Sequence, residues 1–332
     1  MIGKRQFVFG GAALGLIAAL PLVSKAVSSS QRAQKQWLIS ACNDARGQHY
    51  VAAFDETGQL ISRIALPDRG HGVIAHPNKP GHGLIIARRP GYFAIEINFA
   101  SGQIIRHLKP TQGQHFFGHG LFSNDGKYLI TTENHTTTGQ GKIVLRYSHN
   151  YRIASQFDSG GIGPHEALPM PDGKTMVVAN GGILTHPDTP RKKLNLDTMA
   201  PNLSYIDIRS GKILVQYQLD NPKLSIRHLA VSKAGKVIGG LQYQGTKTEL
   251  VPLAFSHQGK EPVKYLKAPD ALWRQMKQYT ASICINDEAG TAAISCPRGN
   301  MVTYWDLQTG EFVKKMPLKD GAGLALFENR IV

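Results

Sequence analysis

Cysteine is scarce, with three residues in 332 (Cys42, Cys284 and Cys296), too few and too scattered to staple a fold. Folding a hairpin about Asp287–Gly290 sets Cys284 opposite about Ala293 and not Cys296, so buried thiols are expected. Long hydrophobic runs are missing as well. The longest, Phe7 to Leu20, has 14 residues, short of the roughly 20 that span a bilayer; no transmembrane segment is expected in the processed chain. No block of basic residues exceeds the three of Arg191-Lys192-Lys193, and none is interleaved with aromatics. This argues against nucleic acid as a partner despite a net charge of +15. No Cys-x-x-Cys-His motif is present to attach haem covalently, and no Gly-x-Ser-x-Gly elbow to expose a serine nucleophile. Gly160-Gly161-Ile162-Gly163 precedes a strand instead of a helix, so it does not resemble a phosphate loop.

What is present is glycine and proline, 35 and 18 residues spread at intervals, which favours short strands and turns over long helices. Residues 1–26 read as an exported leader: a basic start at Lys4-Arg5, a weakly apolar stretch from Phe7, and a small-residue end, Ser24-Lys25-Ala26. Lys4-Arg5-Gln6-Phe7 resembles a twin-arginine signal with its first arginine replaced by lysine, which implies export in the folded state to the periplasm. An ordinary secretory signal is the simpler alternative. Without the leader, 35 basic residues face 23 acidic ones, a net charge of +12, so acidic partners or general solvation are expected.

From residue 35 to 332 the chain repeats one phrase every forty to fifty residues: an apolar run, a Gly/Asp turn, a second strand ending in polar residues, and a third strand closing on another tight turn. The first turn recurs as Ser123-Asn124-Asp125-Gly126, Met170-Pro171-Asp172-Gly173, Ser232-Lys233-Ala234-Gly235 and Asp287-Glu288-Ala289-Gly290. Four strands per repeat make a propeller blade. The expected fold is therefore all-β, a single WD40/YVTN-like β-propeller with blades near 70–109, 116–158, 163–220, 224–267 and 279–318. A sixth would join Gly321–Leu326 to the N-terminal strands, and a seventh would have to hide in the ends. One helix is expected, Ala268–Gln278.

The first strand of each blade lines the channel, and these strands start at one end. Four starts carry histidine: His71, His119, His165 and His228. His71, His119 and His228 precede their turn residues Asn78, Gly126 and Gly235 by seven positions, and His165 precedes Gly173 by eight. Four imidazoles in register point to a shared transition metal, iron, copper or zinc; strand-end caps or ordered water are the plain alternative. Second strands run back to the same face, which offers Glu133 as a carboxylate ligand, Asn180 and Glu166 as orienting groups, and Arg88, Arg89, Arg227 and Arg298 for an anion. The long loop from Gly181 to Asn202 reads as a lid with apolar anchors Leu184, Leu194, Leu196 and Met199, and with His186 placed to close over the ring.

Across these motifs, among them Arg69-Gly70-His71-Gly72, Phe117-Gly118-His119-Gly120, Gly163-Pro164-His165-Glu166, Ala179-Asn180-Gly181-Gly182-Ile183, Ser225-Ile226-Arg227-His228-Leu229 and Pro297-Arg298-Gly299, the chain resembles the exported bacterial family catalogued as domain of unknown function 1513. The resemblance implies a periplasmic propeller, often encoded beside imelysin-type iron-regulated proteins, and hence a link to iron or copper handling with other periplasmic iron-uptake proteins as partners. It implies no activity. Three classes of function stay open on sequence: a metal-binding propeller, a metal-independent module that holds an anionic small molecule or partner protein, and a metal-assisted enzyme with Glu133 as general base.

Overall fold

The computed structural model describes residues 18–20, 35–189 and 191–332. The segment read as a leader, with Lys4-Arg5 and Ala26, lies outside the described residues apart from Ala18–Leu20.

The described residues form six four-stranded antiparallel sheets in chain order, a six-bladed β-propeller. Five blades begin with the strands Gly70–Ala75, Gln114–Phe122, Pro164–Pro169, Leu224–Val231 and Ile283–Asn286. Successive members of this set pack on one another, which makes them the wall of the channel. Blade limits agree with the repeat to within a few residues, because the turns fix them: the Asp172 carboxylate accepts the Lys174 and Thr175 N–H groups, both at 2.8 Å, and Asp306 accepts Gln308 and Thr309 at 2.9 and 2.7 Å. Such side chains offer the backbone a local partner that strand pairing cannot.

Burial follows strand position. Second strands such as Thr175–Asn180 are buried almost throughout, whereas the outermost strands, for example Gln103–Leu108, are exposed along most of their length. Apolar side chains from neighbouring blades interlock between the sheets, and the largest cluster gathers around Trp305, fully buried and stacked on Trp273 at 5.3 Å. Trp273 comes from the one α-helix among the described residues, Asp270–Gln275, inside the expected segment. Each such large side chain removed from water contributes about 1.5–3 kcal/mol.

The first blade differs from expectation. Its first strand is Ala18–Leu20, paired with Lys35–Trp37, and Gly321–Leu326 does not supply it. The Ala322 carbonyl is instead taken by the sixth blade, accepting from Ser282 N at 3.1 Å and Ser295 Oγ at 2.6 Å, and Leu326–Phe327 pairs with Arg330–Ile331. Ala18–Leu20 lies within the segment read as a leader, so cleavage after Ala26 would leave this blade with three strands. The thiols behave as expected: Cys284 pairs across its hairpin with Ala293, all three cysteines are free, and burial pushes Cys284 and Cys296 up to about 12. No helix among the described residues is long and apolar enough to cross a membrane.

Candidate metal centre

Each of the four histidines sits on an irregularity of its inner strand. His71 and Gly72 together face one residue of the next strand, since Gly70 pairs with Ala87 and Val73 with Ile85. Arg227 and His228 likewise stand between the pairs Ile226–Leu241 and Leu229–Gly239. Phe117, Gly118 and His119 lie between Phe116–Glu133 and Gly120–Thr131, and His165 is inserted between Pro164–Asn180 and Glu166–Ala179. A bulge turns a side chain out of the pleat that regular alternation would give it. Here four bulges on four successive blades turn four imidazoles toward one axis.

Donor atoms of His71, His119, His165 and His228 all lie within 4.8 Å of one another, with ring centroids between 4.6 and 6.2 Å apart. Four nitrogens around one ion at about 2.0–2.1 Å stand about 3.4 Å apart in a tetrahedron, so the cluster has to contract by roughly an ångström. The approach depends on missing side chains. A Cβ on Gly72 would lie 2.6 Å from the Gly118 carbonyl oxygen, and one on Gly118, whose φ is +109°, 2.6 Å from His71 Cδ2.

Glu166, 3% exposed, sits between two of the rings. Its Oε1 is 3.5 Å from His119 Nδ1; its Oε2 is 3.4 Å from His228 Nδ1, at an angle too poor for a hydrogen bond, and accepts the Leu229 N–H at 2.7 Å. Burial opposes ionisation of Glu166, but His119, His228 and the Leu229 N–H outweigh it and hold its pKa below the ordinary value. His71, His119 and His165 shift the other way. Burial, then His119 and His228, push His71 well below its usual range, and burial, then His228 and His119, do the same to His165. His119 falls to about 4, mainly by burial, with Glu166 pulling up and His228 down. Neutral imidazoles beside an ionised carboxylate need shed no proton to bind a cation. Among the described residues, His119 Nε2 and His165 Nδ1 are buried without a hydrogen-bond partner, the state expected of atoms reserved for a ligand.

The other candidates divide. Glu133 is occupied inside its own blade, accepting from Arg146 Nη2 at 2.6 Å, Thr111 N at 2.8 Å and Thr131 Oγ1 at 3.0 Å, and it does not belong to the histidine cluster. Its expected role as a ligand or base has no support in this geometry, because a paired buried guanidinium takes the charge. Asn180 orients no imidazole. Its amide donates to Ser159 O, Asn202 Oδ1 and Ser204 Oγ at 2.8–3.0 Å and accepts from Ser159 Oγ at 2.7 Å, joining the third blade to the fourth. Asn180→Ala is therefore expected to cost about 1–3 kcal/mol through unpaired buried partners, read by urea unfolding, while metal content stays unchanged.

His186 also lies outside the cluster. It is half-buried and faces Asp188 at 3.5 Å, and its charge acts on His115. The loop carrying it nevertheless crosses the mouth. Thr185 Oγ1 accepts from Arg89 Nη1 of the second blade at 3.4 Å, and Lys193 Nζ donates to Gln244 Oε1 beyond the fifth blade's second strand. Of its apolar anchors, Met199 is buried and Leu184 and Leu196 are half-buried, but Leu194 is 43% exposed.

Arg89, Arg227 and Arg298 gather at this mouth, with Arg88 exposed at its edge. Burial pushes Arg227 down to about 9, with Arg89 and Arg88 adding repulsion, and takes Arg89 to about 10, with Arg88 adding to it. Arg298 lies over the Tyr279 ring at 4.3 Å. Arg88 and Arg69 act electrostatically on His71, and Arg227 on His165, so cations and imidazoles share one end of the channel. Sequence reasoning missed Lys193, read only as part of a basic run, and Tyr279, which carried no motif. It also missed the fully buried His115, whose ring nitrogens have no hydrogen-bond partner among the described residues.

The family described as "Protein of unknown function (DUF1513)" matches residues 64–332. Among solved structures, a chain of Kuenenia stuttgartiensis hydrazine synthase superposes with a TM-score of 0.68 at 13% sequence identity, covering 100% of this chain and 97% of that one; a likeness at that identity shows the fold alone. No curated protein matches the chain.

Proposed function

The chain belongs to this family of unknown function, and we propose that it is a periplasmic metal-binding propeller that serves envelope iron or copper handling. One observation carries the reading: four imidazoles from four blades converge within 4.8 Å in an interior where unpaired polar atoms are costly. His71, His119, His165 and His228 are the ligands, and the Glu166 carboxylate lies beside two of them, 3.5 Å from His119 Nδ1 and 3.4 Å from His228 Nδ1. A carboxylate beside a ligating imidazole sets the ring's tautomer and strengthens its donor atom. Copper(II), iron(II) and zinc(II) all accept an imidazole set, and the protein's geometry decides among them more than intrinsic affinity does. The basic start, weakly apolar stretch and small-residue end of residues 1–26, the pattern of an export signal, support the periplasmic location.

The test is elemental analysis of protein purified without a histidine tag, before and after incubation with iron(II), copper(II) and zinc(II), followed by desalting. About one ion per chain is expected, lost in the double substitution His119→Ala/His165→Ala. Wild-type protein that stays metal-free in all three would overturn the reading. Fractionation of cells that express the full chain checks the location, which a cytoplasmic signal alone would refute.

A further inference from the structure

Directly over the histidine ring, positive charge is concentrated without compensation. Arg227 is 3% exposed, its Nε is buried without a partner, and among the described residues it has neither a hydrogen bond nor an ion pair. Arg89 has one long bond, 3.4 Å from Nη1 to Thr185 Oγ1, and lies 5.1 Å over the Phe117 ring. Arg298 lies over Tyr279. Lys193, on the crossing loop, feels the charge of Arg227, Arg298 and Arg89 together. None of the four has a carboxylate partner among the described residues, whereas buried Arg146, in the third blade, is paired with Glu133.

A buried guanidinium without an acceptor is strongly unfavourable, and folded proteins keep one where a ligand completes it. The four groups come from different blades and from the loop, so nothing local explains why they meet. Arg presents a planar fork of donors matched to the two oxygens of a carboxylate or the face of a phosphate. Arg227 is also the bulge neighbour of His228, so the residue that aims an imidazole down the channel is adjacent to the one that places a guanidinium at its mouth.

We propose that Arg89, Arg227, Arg298 and Lys193 form a binding site for a small, multiply charged oxyanion, held under the loop 181–202 with Tyr279 and Thr185 at its rim. The site does not rest on the metal reading. Arg227 is buried and Arg89 half-buried, while Arg298 and Lys193 reach solvent at the rim, an arrangement that favours a ligand with more than one negative group, since a monoanion would engage only part of it. Carboxylate and phosphate share this chemistry, and the loop's ties to the second and fifth blades, through Arg89–Thr185 and Lys193–Gln244, make it the part that an anion would tighten.

The test is titration calorimetry of untagged, chelator-treated protein with citrate and with pyrophosphate, at low and at physiological salt. Saturable one-to-one binding of at least one anion is expected, weakened severalfold by the added salt. Arg298→Gln and Lys193→Gln are each expected to weaken it about tenfold or more, and Arg89→Gln to do the same. Arg227→Gln is less informative because it alters the strand that carries His228; the other three keep the proposal falsifiable if it misfolds. Binding of citrate alone identifies a polycarboxylate, and of pyrophosphate alone a phosphate ligand. No binding of either, or binding in all three variants as tight as in the wild type, overturns the proposal. Because metal is absent throughout, failure here leaves the metal reading standing, and the converse holds as well.

Discussion

Gly118→Ala is expected to lose metal binding and to destabilise the protein by about 2–6 kcal/mol. Two costs combine. At φ of +109° an L-residue is held in sparsely populated backbone space, worth about 1–3 kcal/mol. The new Cβ would also stand 2.6 Å from His71 Cδ2, and crowding of that kind costs about 1–3 kcal/mol more. Neither escape preserves the site: if the His71 ring swings away, one ligand is lost, and if the backbone shifts, His119 moves with it. Gly235→Ala is the control. Its φ is also positive, at +79°, but its Cβ would meet only Met170 Cε, at 3.8 Å, so strain alone remains, about 1–2 kcal/mol, with full metal occupancy. Urea unfolding and metal analysis read both quantities. Gly118→Ala indistinguishable from Gly235→Ala in both would show that the second and third blades do not meet as closely as described.

Metal-free protein is expected to lose at least about 4 kcal/mol of stability between pH 7.5 and pH 5. His115 and His119 are both held down to about 4, His115 by burial, Arg89 and His186, and His119 by burial and His228 against the pull of Glu166. In the unfolded chain each returns to about 6.5. Below that value the unfolded state binds protons that the folded state refuses, so stability falls with pH until the folded groups titrate near 4. At pH 5 each histidine contributes about 1.5 pH units at 1.36 kcal/mol per unit, or about 2 kcal/mol. His71 and His165, also depressed, act in the same direction. Unfolding free energies at the two pH values check this, and His115→Leu is expected to remove about 2 kcal/mol of the difference. A flat profile to pH 5 would mean that the rings reach water.

The candidate site was legible because its residues recur at fixed distances from turns that the sequence marks plainly. Asp and Gly at Asp172-Gly173 or Asp125-Gly126 announce a turn through local hydrogen bonding and positive φ, and counting back from each finds the histidine. The bulges that aim those histidines were not legible. An extra residue opposite Ile86 or Gly240 is a property of two strands together, and neither strand alone encodes it. Glu133 misled for a related reason: its position on the mouth face was correct, but Arg146, thirteen residues on, is the partner that the fold delivers. Glu166, adjacent to His165, was found for its place and acquires its role only because His119 and His228 arrive from the neighbouring blades on either side.

Turn chemistry and apolar alternation act over a few residues, so the sequence alone determined an all-β chain of repeated four-stranded units, the starts of five of them, and the common face on which four histidines stand. Tertiary structure decided which strand completes the first blade, which carboxylate serves the imidazoles, and that Arg89, Arg227, Arg298 and Lys193 face one another without an acid among them. Those outcomes depend on distances between residues far apart in the chain. Such distances are set by how whole sheets pack around an axis, and no local stretch of residues fixes them.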